Sequence, residues 1–372
     1  MHLIDRYVGR ATFVTALYGV FVLSVVLVLG NLFKEALDLL INRDVPLGYI
    51  LFFMACVIPF SLTFTVPWAF LTSVLLVFGR MSADNETVAL RACGISLLRA
   101  SLPVLAIGLL LSGFCFWINT AVAPAAELAM RQSLADMARS NPLALFTPNE
   151  VVDQFRGRKI FVGSREGDEL RAITIIEQND SAQVKTVIRA RRGVINRGEN
   201  GEQLDLTLHD AMVESRPAGH EDEPSAIRHG VFASEVDLDI PLDDLVQTSL
   251  LWRPLRTFQM GELFAFLDQD LESGDRPTRA GVRTEISKRF SLSVASLAFA
   301  FIAIPLGIVA QRRETSAGFA ISLAVAFGYF FFVALADMLR EDAAAYPYLL
   351  LWIPNFLFIS IGSWLLLRLD HR

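Results

Sequence analysis

Long apolar segments alternate with polar ones along the chain, and they fall into two groups separated by one extended polar region. A helix needs roughly 20 apolar residues to cross a hydrocarbon core of about 30 Å. Six segments reach that length, three on each side of the polar region: residues 11–33, 45–78, 97–122, 290–310, 317–339 and 346–367. The pattern therefore predicts an α-helical integral membrane protein with six transmembrane helices and one large inserted domain.

Lys and Arg in the short loops indicate how these helices cross the membrane, because such residues accumulate on the cytoplasmic side. With the N-terminus inside, the cytoplasmic segments hold nine basic residues and the opposite short loops hold three. The nine are Arg6, Arg10, Arg80, Arg91, Arg99, Arg312, Arg313, Arg368 and Arg372, and the three are Lys34, Arg43 and Arg340. This bias predicts two cytoplasmic termini and places the inserted domain across the membrane.

We expect three regions. Residues 1–122 carry the first three helices with a cytoplasmic loop at 79–98, residues 123–289 form the inserted domain, and residues 290–372 carry the last three helices. The inserted domain shows short β-branched or alternating runs at 159–162, 170–176, 184–195, 204–208 and 231–240. Several short strands separated by turn signals predict a β-sandwich or jelly-roll-like domain. Helical patterns at 125–140, 260–271 and 279–288 flank it.

Charge and cysteine content exclude some roles for the inserted domain. Residues 123–289 contain 21 basic and 28 acidic side chains, a formal charge of 21 − 28 = −7, whereas a nucleic-acid or anionic-lipid surface requires the opposite sign. Cys56, Cys93 and Cys115 all lie in or beside the apolar segments. The inserted domain therefore has no disulfides and must be held by its own core.

The sequence carries no recognisable catalytic or metal-binding motif. Its five histidines form no HExxH or paired metal spacing, and its cysteines form no CxxC. It also lacks the GxxxxGK[ST] loop that cradles nucleotide phosphates. We therefore expect a protein that is not an enzyme, needs no cofactor and depends on another chain for any ATP hydrolysis.

The loop between the second and third apolar segments has the signals of a short helix. Ser82, Asp84 or Asn85 can cap its start, and Gly94 can end it before Ser96 caps the next span. One interpretation is a solvated turn whose charges satisfy the positive-inside rule. The other is a docking helix that receives force from a separate cytoplasmic ATPase.

Several motifs, in their order along the chain, resemble the YjgP/YjgQ family, the LptF and LptG permeases of the lipopolysaccharide exporter. They are Ile4-Asp-Arg-Tyr7, residues 85–96, Glu285-Ile-Ser-Lys-Arg-Phe290, Ile304-Pro-Leu-Gly307 and Trp352-Ile-Pro-Asn355. The resemblance covers essentially the whole chain, including the position of the inserted domain. The opening Asp5-Arg-Tyr7 slightly favours LptG, whereas Ala92-Cys-Gly94 is also compatible with LptF. Both assignments within the family are therefore kept.

The resemblance implies one permease half of an ABC-type exporter in the bacterial inner membrane, with the β domain in the periplasm. An LptF-like and an LptG-like permease would pair on a cytoplasmic ATPase dimer and extract lipopolysaccharide from the outer leaflet. The β domain would pass the lipid to an LptC-like partner and a periplasmic bridge. Glu86 would occupy the acidic position of the family's coupling helix, with Arg91 and Gly94 in the same element.

Two cations at the outward end of the first helix are candidates for contact with the lipid. Lys34, and after it Arg43, would meet phosphate groups, which favour Lys and Arg as partners. The alternative role for Lys34 is to extend its ammonium to the membrane interface without a ligand.

Two other classes of protein compete with the exporter. A secondary transporter would need its own ion site, but the predicted spans lack the buried acidic and basic pairs that ion coupling uses. A membrane-anchored scaffold explains the inserted domain, although one span would suffice to anchor it.

Overall fold

The computed structural model describes residues 3–42, 47–140, 151–155, 158–166, 169–178, 184–197, 203–215, 229–241, 254–268, 278–310 and 315–371. The chain divides into two compact units. The membrane unit comprises Met1–Lys34, Leu51–Leu128 and Pro254–Arg372, and the sheet unit comprises Glu35–Ile50 and Ala129–Arg253. The region boundaries expected after residues 122 and 289 stay predictions.

The first three apolar segments form helices that are longer than the segments themselves. Helix α1 spans Leu3–Asn42, α2 Leu47–Ala83, the short α3 Glu86–Ala92, and α4 Leu97–Trp117. A π-helical turn at Ile118–Val122 continues α4 into α5, Ala123–Ser140. The 37 residues of α2 are about 55 Å long at 1.5 Å each, well beyond the hydrocarbon thickness.

The second half of the chain supplies the other three long helices. After a 3₁₀ turn at Leu255–Thr257 come α6, Met260–Asp268, and then α7, Arg279–Ala310. Helix α8 spans Thr315–Met338, a second 3₁₀ turn spans Ala343–Ala345, α9 spans Pro347–Leu350 and α10 spans Ile353–Asp370. Six helices of the described chain are long and apolar enough to cross a membrane. The predicted six-span architecture is confirmed.

The sixth apolar segment differs from its prediction because it is not one helix. Tyr346 has a left-handed backbone with φ 46°, and the short α9 ends before a second helix begins at Ile353. Pro354 lies in the first turn of α10, where its missing N–H costs no intrahelical bond and where proline favours a helix start. The single span expected over 346–367 is therefore divided into the four-residue α9 and the 18-residue α10.

Helix α7 packs against α4, α8 and α10 in the membrane unit, and small residues allow the close approaches. A Cβ added at Gly307 would lie 3.1 Å from the carbonyl oxygen of Leu75 on α2. A Cβ added at Gly362 would lie 2.3 Å from the carbonyl oxygen of Phe301. Packing of this kind drives association between helices in lipid, where apolar surface alone gives no preference for protein over lipid.

Buried hydrogen bonds specify how α7, α8 and α10 pack together. The Asn355 amide donates to Ser291 Oγ at 2.8 Å, and the Ser291 hydroxyl donates to the carbonyl of Leu351 at 2.5 Å. The Tyr329 hydroxyl donates to the carbonyl of Ser291 at 3.0 Å. Since polar groups in this core have no water to bond, the network favours one register of the helices over others.

The sheet unit contains one antiparallel sheet whose six described strands pair in sequence order. They are β1 Val151–Phe155, β2 Arg158–Glu166, β3 Glu169–Gln178, β4 Val184–Arg197, β5 Gln203–Ser215 and β6 His229–Pro241. The five predicted strand segments fall within β2 to β6, and β1 has no counterpart in the prediction. A β domain inserted between the third and fourth spans is confirmed.

A row of kinks across this sheet explains how a single sheet encloses a core. Leu170 and Ile173 are both buried in one cluster, as are Leu208 and Ala211, although residues three apart in a regular strand lie on opposite faces. The side chains change faces because the pairing between neighbouring strands is interrupted at one residue in each of β2 to β6. These residues form a row across the sheet: Gly163, Ala172, Arg191, Asp210 and Ser234. Ala172 and Asp210 have left-handed backbones, with φ 55° and 54°. The two halves of the sheet therefore share one core, which gives the sandwich-like character expected from the sequence.

Candidate functional site

The short helix α3 begins without the side-chain cap that the sequence suggested. Asn85 occupies the capping position, but its backbone is left-handed with φ 57° and its side chain makes no capping bond. The Ser82 hydroxyl instead donates to the carbonyl of Ile308 at the end of α7, at 2.8 Å. Asparagine tolerates the left-handed region, so Asn85 serves the tight turn between α2 and α3 and Ser82 ties that turn to α7.

The end of α3 is formed as the sequence predicts. Gly94 has φ 77°, and its N–H donates to the carbonyl of Arg91 at 2.9 Å while the N–H of Ile95 donates to that of Leu90 at 3.0 Å. These two bonds define a Schellman motif, in which glycine is preferred because of the left-handed backbone. Ser96 then caps α4, since its hydroxyl accepts from the N–H of Arg99 at 3.2 Å.

The three predicted coupling residues Glu86, Arg91 and Gly94 lie in this one element, at its start, last turn and end. The side chain of Arg91 is exposed, and that of Glu86 is half-buried. The Glu86 carboxylate accepts a hydrogen bond from the Tyr7 hydroxyl, at 3.2 Å to Oε1 and 3.4 Å to Oε2. The Glu86 carboxylate therefore has a hydrogen-bond partner on α1.

Four parts of the chain meet around α3. The Arg99 guanidinium pairs with Asp5 at 3.5 Å, and the N–H of Leu97 donates to the Asp370 carboxylate at 2.7 Å. Together with the bond from Ser82 to α7, these contacts bring both ends of the chain to the loop. A cavity of about 480 Å³ lies here, lined by Ser82, Ala83, Asn85, Thr87, Val88, Arg91, Leu97, Ile308 and Leu369. Exposed charges beside a concave surface suit the docking of another protein.

The predicted lipid-contacting cations cannot be placed in the same way. Lys34 belongs to helix α1, but its side chain lies outside the described residues, and Arg43 lies outside them altogether. Their roles stay predictions.

A second polar centre lies near the other end of α7, built around the buried side chain of Arg289. Its Nε donates to Glu285 Oε1 at 3.2 Å, one helical turn earlier. Its two terminal nitrogens donate to the backbone carbonyls of Phe258, Leu255 and Arg256 at 2.9, 3.2 and 3.1 Å. One guanidinium therefore binds three carbonyls in and directly after the 3₁₀ turn and joins this turn to α7.

A cavity of about 500 Å³ adjoins Arg289 within the membrane unit. Its lining combines apolar side chains with charged ones, namely Phe60, Phe64 and Leu292 with Glu127, Arg256, Glu285, Lys288, Arg289, Asp337 and Arg340. Arg256 pairs with Glu127 at 3.0 Å, and Lys288 pairs with Asp337. Arg340 has no ion-pair partner among the described residues.

The π-helical turn after α4 points a buried amide towards this cavity. The Thr63 hydroxyl donates to Asn119 Oδ1 at 2.7 Å, and Asn119 Nδ2 donates to Ser293 Oγ at 3.1 Å. These bonds link α2, the π turn and α7. Such turns inside α-helices are frequent at functional sites.

Sequence reasoning missed the Arg289 centre because Glu285 and Arg289 precede the predicted fourth span, which begins at residue 290. The candidate span Arg279–Val309 includes both Glu285 and Arg289. Their i,i+4 spacing on a helix was a usable signal. The carbonyl partners could not be foreseen, since they come from a distant turn, and these carbonyls offset the cost of burying the cation.

Comparison with known families identifies the chain over nearly its whole length. A family model described as "Lipopolysaccharide export system permease LptF/LptG" matches residues 6–368. A comparison with curated proteins gives no match.

Proposed function

The chain belongs to the LptF/LptG family of lipopolysaccharide export permeases, and we propose that it is one half of a paired permease driven by a separate cytoplasmic ATPase dimer. It is a multi-pass membrane protein and a component of a transporter. In the proposed arrangement it resides in the bacterial inner membrane with both termini in the cytoplasm. The β domain stands in the periplasm and receives lipopolysaccharide taken from the outer leaflet.

The observation that carries the proposal is the short, sharply ended helix α3 beside an open cavity. The loop that contains it contacts Asp5, Tyr7 and Asp370, and the basic residues Arg6, Arg10 and Arg368 stand within a few positions of these contacts in the sequence. Basic residues mark the cytoplasmic side, so an ATPase subunit would reach this surface. Helix α3 is therefore the element through which ATP-driven closure is transmitted.

Each residue of the coupling site has a distinct proposed role. The Glu86 carboxylate forms charge-assisted hydrogen bonds with a basic group of the ATPase, because such bonds are about twice as strong as neutral ones. Arg91, exposed in the last turn of α3, pairs with an acidic group of the same partner. Gly94 fixes the direction in which α3 meets α4, since its left-handed backbone disfavours other residues.

Lipid contact is assigned to cations near the outward ends of the helices. Lys34 and Arg43 are the proposed phosphate partners, and Arg340 joins them because it borders a cavity lined by both apolar and charged side chains. The exposed apolar surface of α1, with Phe13, Leu17 and Phe21, is available for the paired permease. A glycolipid would lie between the two halves.

Transfer to the periplasmic partners is proposed to use the edges of the sheet. Strands β1 and β6 are the edges of the sheet as described, and β6 exposes Val231 and Phe232. An edge strand has backbone groups free to pair with a strand of another chain. An LptC-like protein or a periplasmic bridge that joins there would extend the sheet.

Purification in detergent with the paired permease and the ATPase tests the proposal. We expect Glu86→Lys to lower ATPase recovery by about tenfold or more, because the change replaces attraction with repulsion. Asp84→Lys is the matched control, since Asp84 is also acidic and lies two residues away but outside α3. Full recovery with Glu86→Lys, or equal loss in the control, would remove the coupling role of α3. Absence of any ATPase with the wild type would favour a scaffold or a secondary transporter.

A further inference from the structure

The first two turns of α1 are attached to the loop that contains α3. Tyr7 donates its hydroxyl hydrogen to the Glu86 carboxylate, and Asp5 pairs with Arg99 at the start of α4. These residues lie 79 and 94 positions apart along the chain, so the contacts are features of the tertiary structure. The start of α1 therefore contacts both α3 and the first turn of α4.

Residues between Asp5 and Tyr7 on the surface of these turns are anchored in the core. Val8 is completely buried and belongs to the hydrophobic cluster that includes Leu97, and Ile4 and Leu90 pack against that cluster. Tyr7 itself is 46% exposed. Because little of Tyr7 is held by burial, its phenylalanine analogue should keep the position of α1 and lose chiefly the hydrogen bond to Glu86.

We infer that Tyr7 is a positioning residue that transmits the movement of α3 to helix α1 during transport. The inference rests on the proposed function, since it requires that α3 receives force from an ATPase. Helix α1 is continuous over Leu3–Asn42 and carries Lys34, the proposed phosphate contact. A link at Tyr7 therefore connects the ATP-driven end of the permease with the helix proposed to meet the lipid.

The chemistry of the carboxylate allows this link to persist while the ATPase is bound. An ionised carboxylate has about four lone-pair sites on two oxygens, and the Tyr7 hydroxyl supplies a single hydrogen. Sites remain for a basic group of the partner. Glu86 can thus bind the ATPase and Tyr7 of α1 at the same time. Loss of the Tyr7 hydroxyl would let α3 move without α1.

The test is Tyr7→Phe in the complete transporter, reconstituted in liposomes with its paired permease and ATPase. Lipopolysaccharide exported per ATP hydrolysed is measured, because a general loss of stability or assembly lowers both quantities together. Because the Tyr7–Glu86 bond is exposed, we expect this ratio to fall by about threefold to tenfold, within the range for one ordinary intramolecular hydrogen bond. Tyr18→Phe is the matched control on the same helix, with an exposed side chain. An unchanged ratio in Tyr7→Phe, or an equal fall in Tyr18→Phe, would overturn the inference.

A double variant tests whether Tyr7 acts through Glu86. If it does, Tyr7→Phe should add nothing to the loss in this ratio caused by Glu86→Ala, because alanine has already removed the acceptor of the Tyr7 hydroxyl. Multiplied losses in the double variant would show independent roles and contradict the inference. A different result would contradict the proposed function itself: a wild-type complex that exports no lipid on addition of ATP.

Discussion

Replacement of Arg289 by methionine should be among the most damaging single changes in the membrane unit. The side chain of Arg289 is 5% exposed and donates to Glu285 and to three backbone carbonyls. Methionine fills a similar length but donates no hydrogen bond. The change leaves a buried carboxylate without its cation and removes the guanidinium donors of the Phe258 and Arg256 carbonyls, while the Leu255 carbonyl keeps the N–H of Phe258.

The size of the loss follows from these unpaired groups. Removing one partner of a buried ion pair lowers the free energy of unfolding by about 3 to 5 kcal/mol, because the remaining charge is left without compensation. For a domain of 150–250 residues, each kcal/mol lowers the unfolding midpoint by about 2 to 4 °C. We therefore expect the thermal midpoint in detergent to fall by on the order of 10 °C.

Two further variants separate this explanation from general damage to the helix. Arg283→Met changes the same residue type at an exposed position of α7 and should alter the midpoint little. Glu285→Gln added to Arg289→Met removes the uncompensated charge and should recover part of the loss. Equal effects of Arg283→Met and Arg289→Met, or a double variant less stable than Arg289→Met, would refute the reasoning.

Three other predictions concern topology, lipid contact and packing. An impermeant thiol reagent added outside intact cells should label Ser234→Cys on β6 and leave the exposed native Cys93 unlabelled until the membrane is opened; the reverse order contradicts the assigned topology. Lys34→Asp should reduce photo-crosslinking to lipopolysaccharide more than Lys34→Ala, because it adds repulsion to the loss of attraction, and equal effects would separate Lys34 from the lipid. Gly362→Ala should lower the thermal midpoint, since the added Cβ would lie 2.3 Å from a backbone oxygen, whereas Gly113→Ala, with nothing within 4 Å, should not; equal midpoints would show that the close packing is not required.

Local features of the chain could be predicted because they depend on neighbouring residues. Apolar length gave the six spans, and the need for a left-handed backbone placed Gly94 at the end of α3. The strand patterns located β2 to β6 for the same reason. Each of these signals is contained within a few turns of helix or a single strand.

Features that depend on distant residues could not be predicted from the pattern. The partner of Glu86 is Tyr7 on another helix, and the partners of Arg289 are carbonyl groups of a separate turn. The kinks at Ala172 and Asp210 belong to a row that crosses neighbouring strands, so the pattern of one strand does not reveal them. A carbonyl group has no sequence signature, so a side chain that binds several of them is hidden in the sequence.

ATP-dependent transfer of lipopolysaccharide to the β domain tests the central claim most directly. A photo-crosslinking side chain at Val213, which packs against the sheet core, is introduced into the reconstituted transporter with its paired permease and ATPase. We predict capture of lipopolysaccharide at this position only when ATP is supplied, and loss of this capture in Glu86→Lys. Equal capture without ATP, or undiminished capture in Glu86→Lys, would contradict ATP-driven transfer through helix α3.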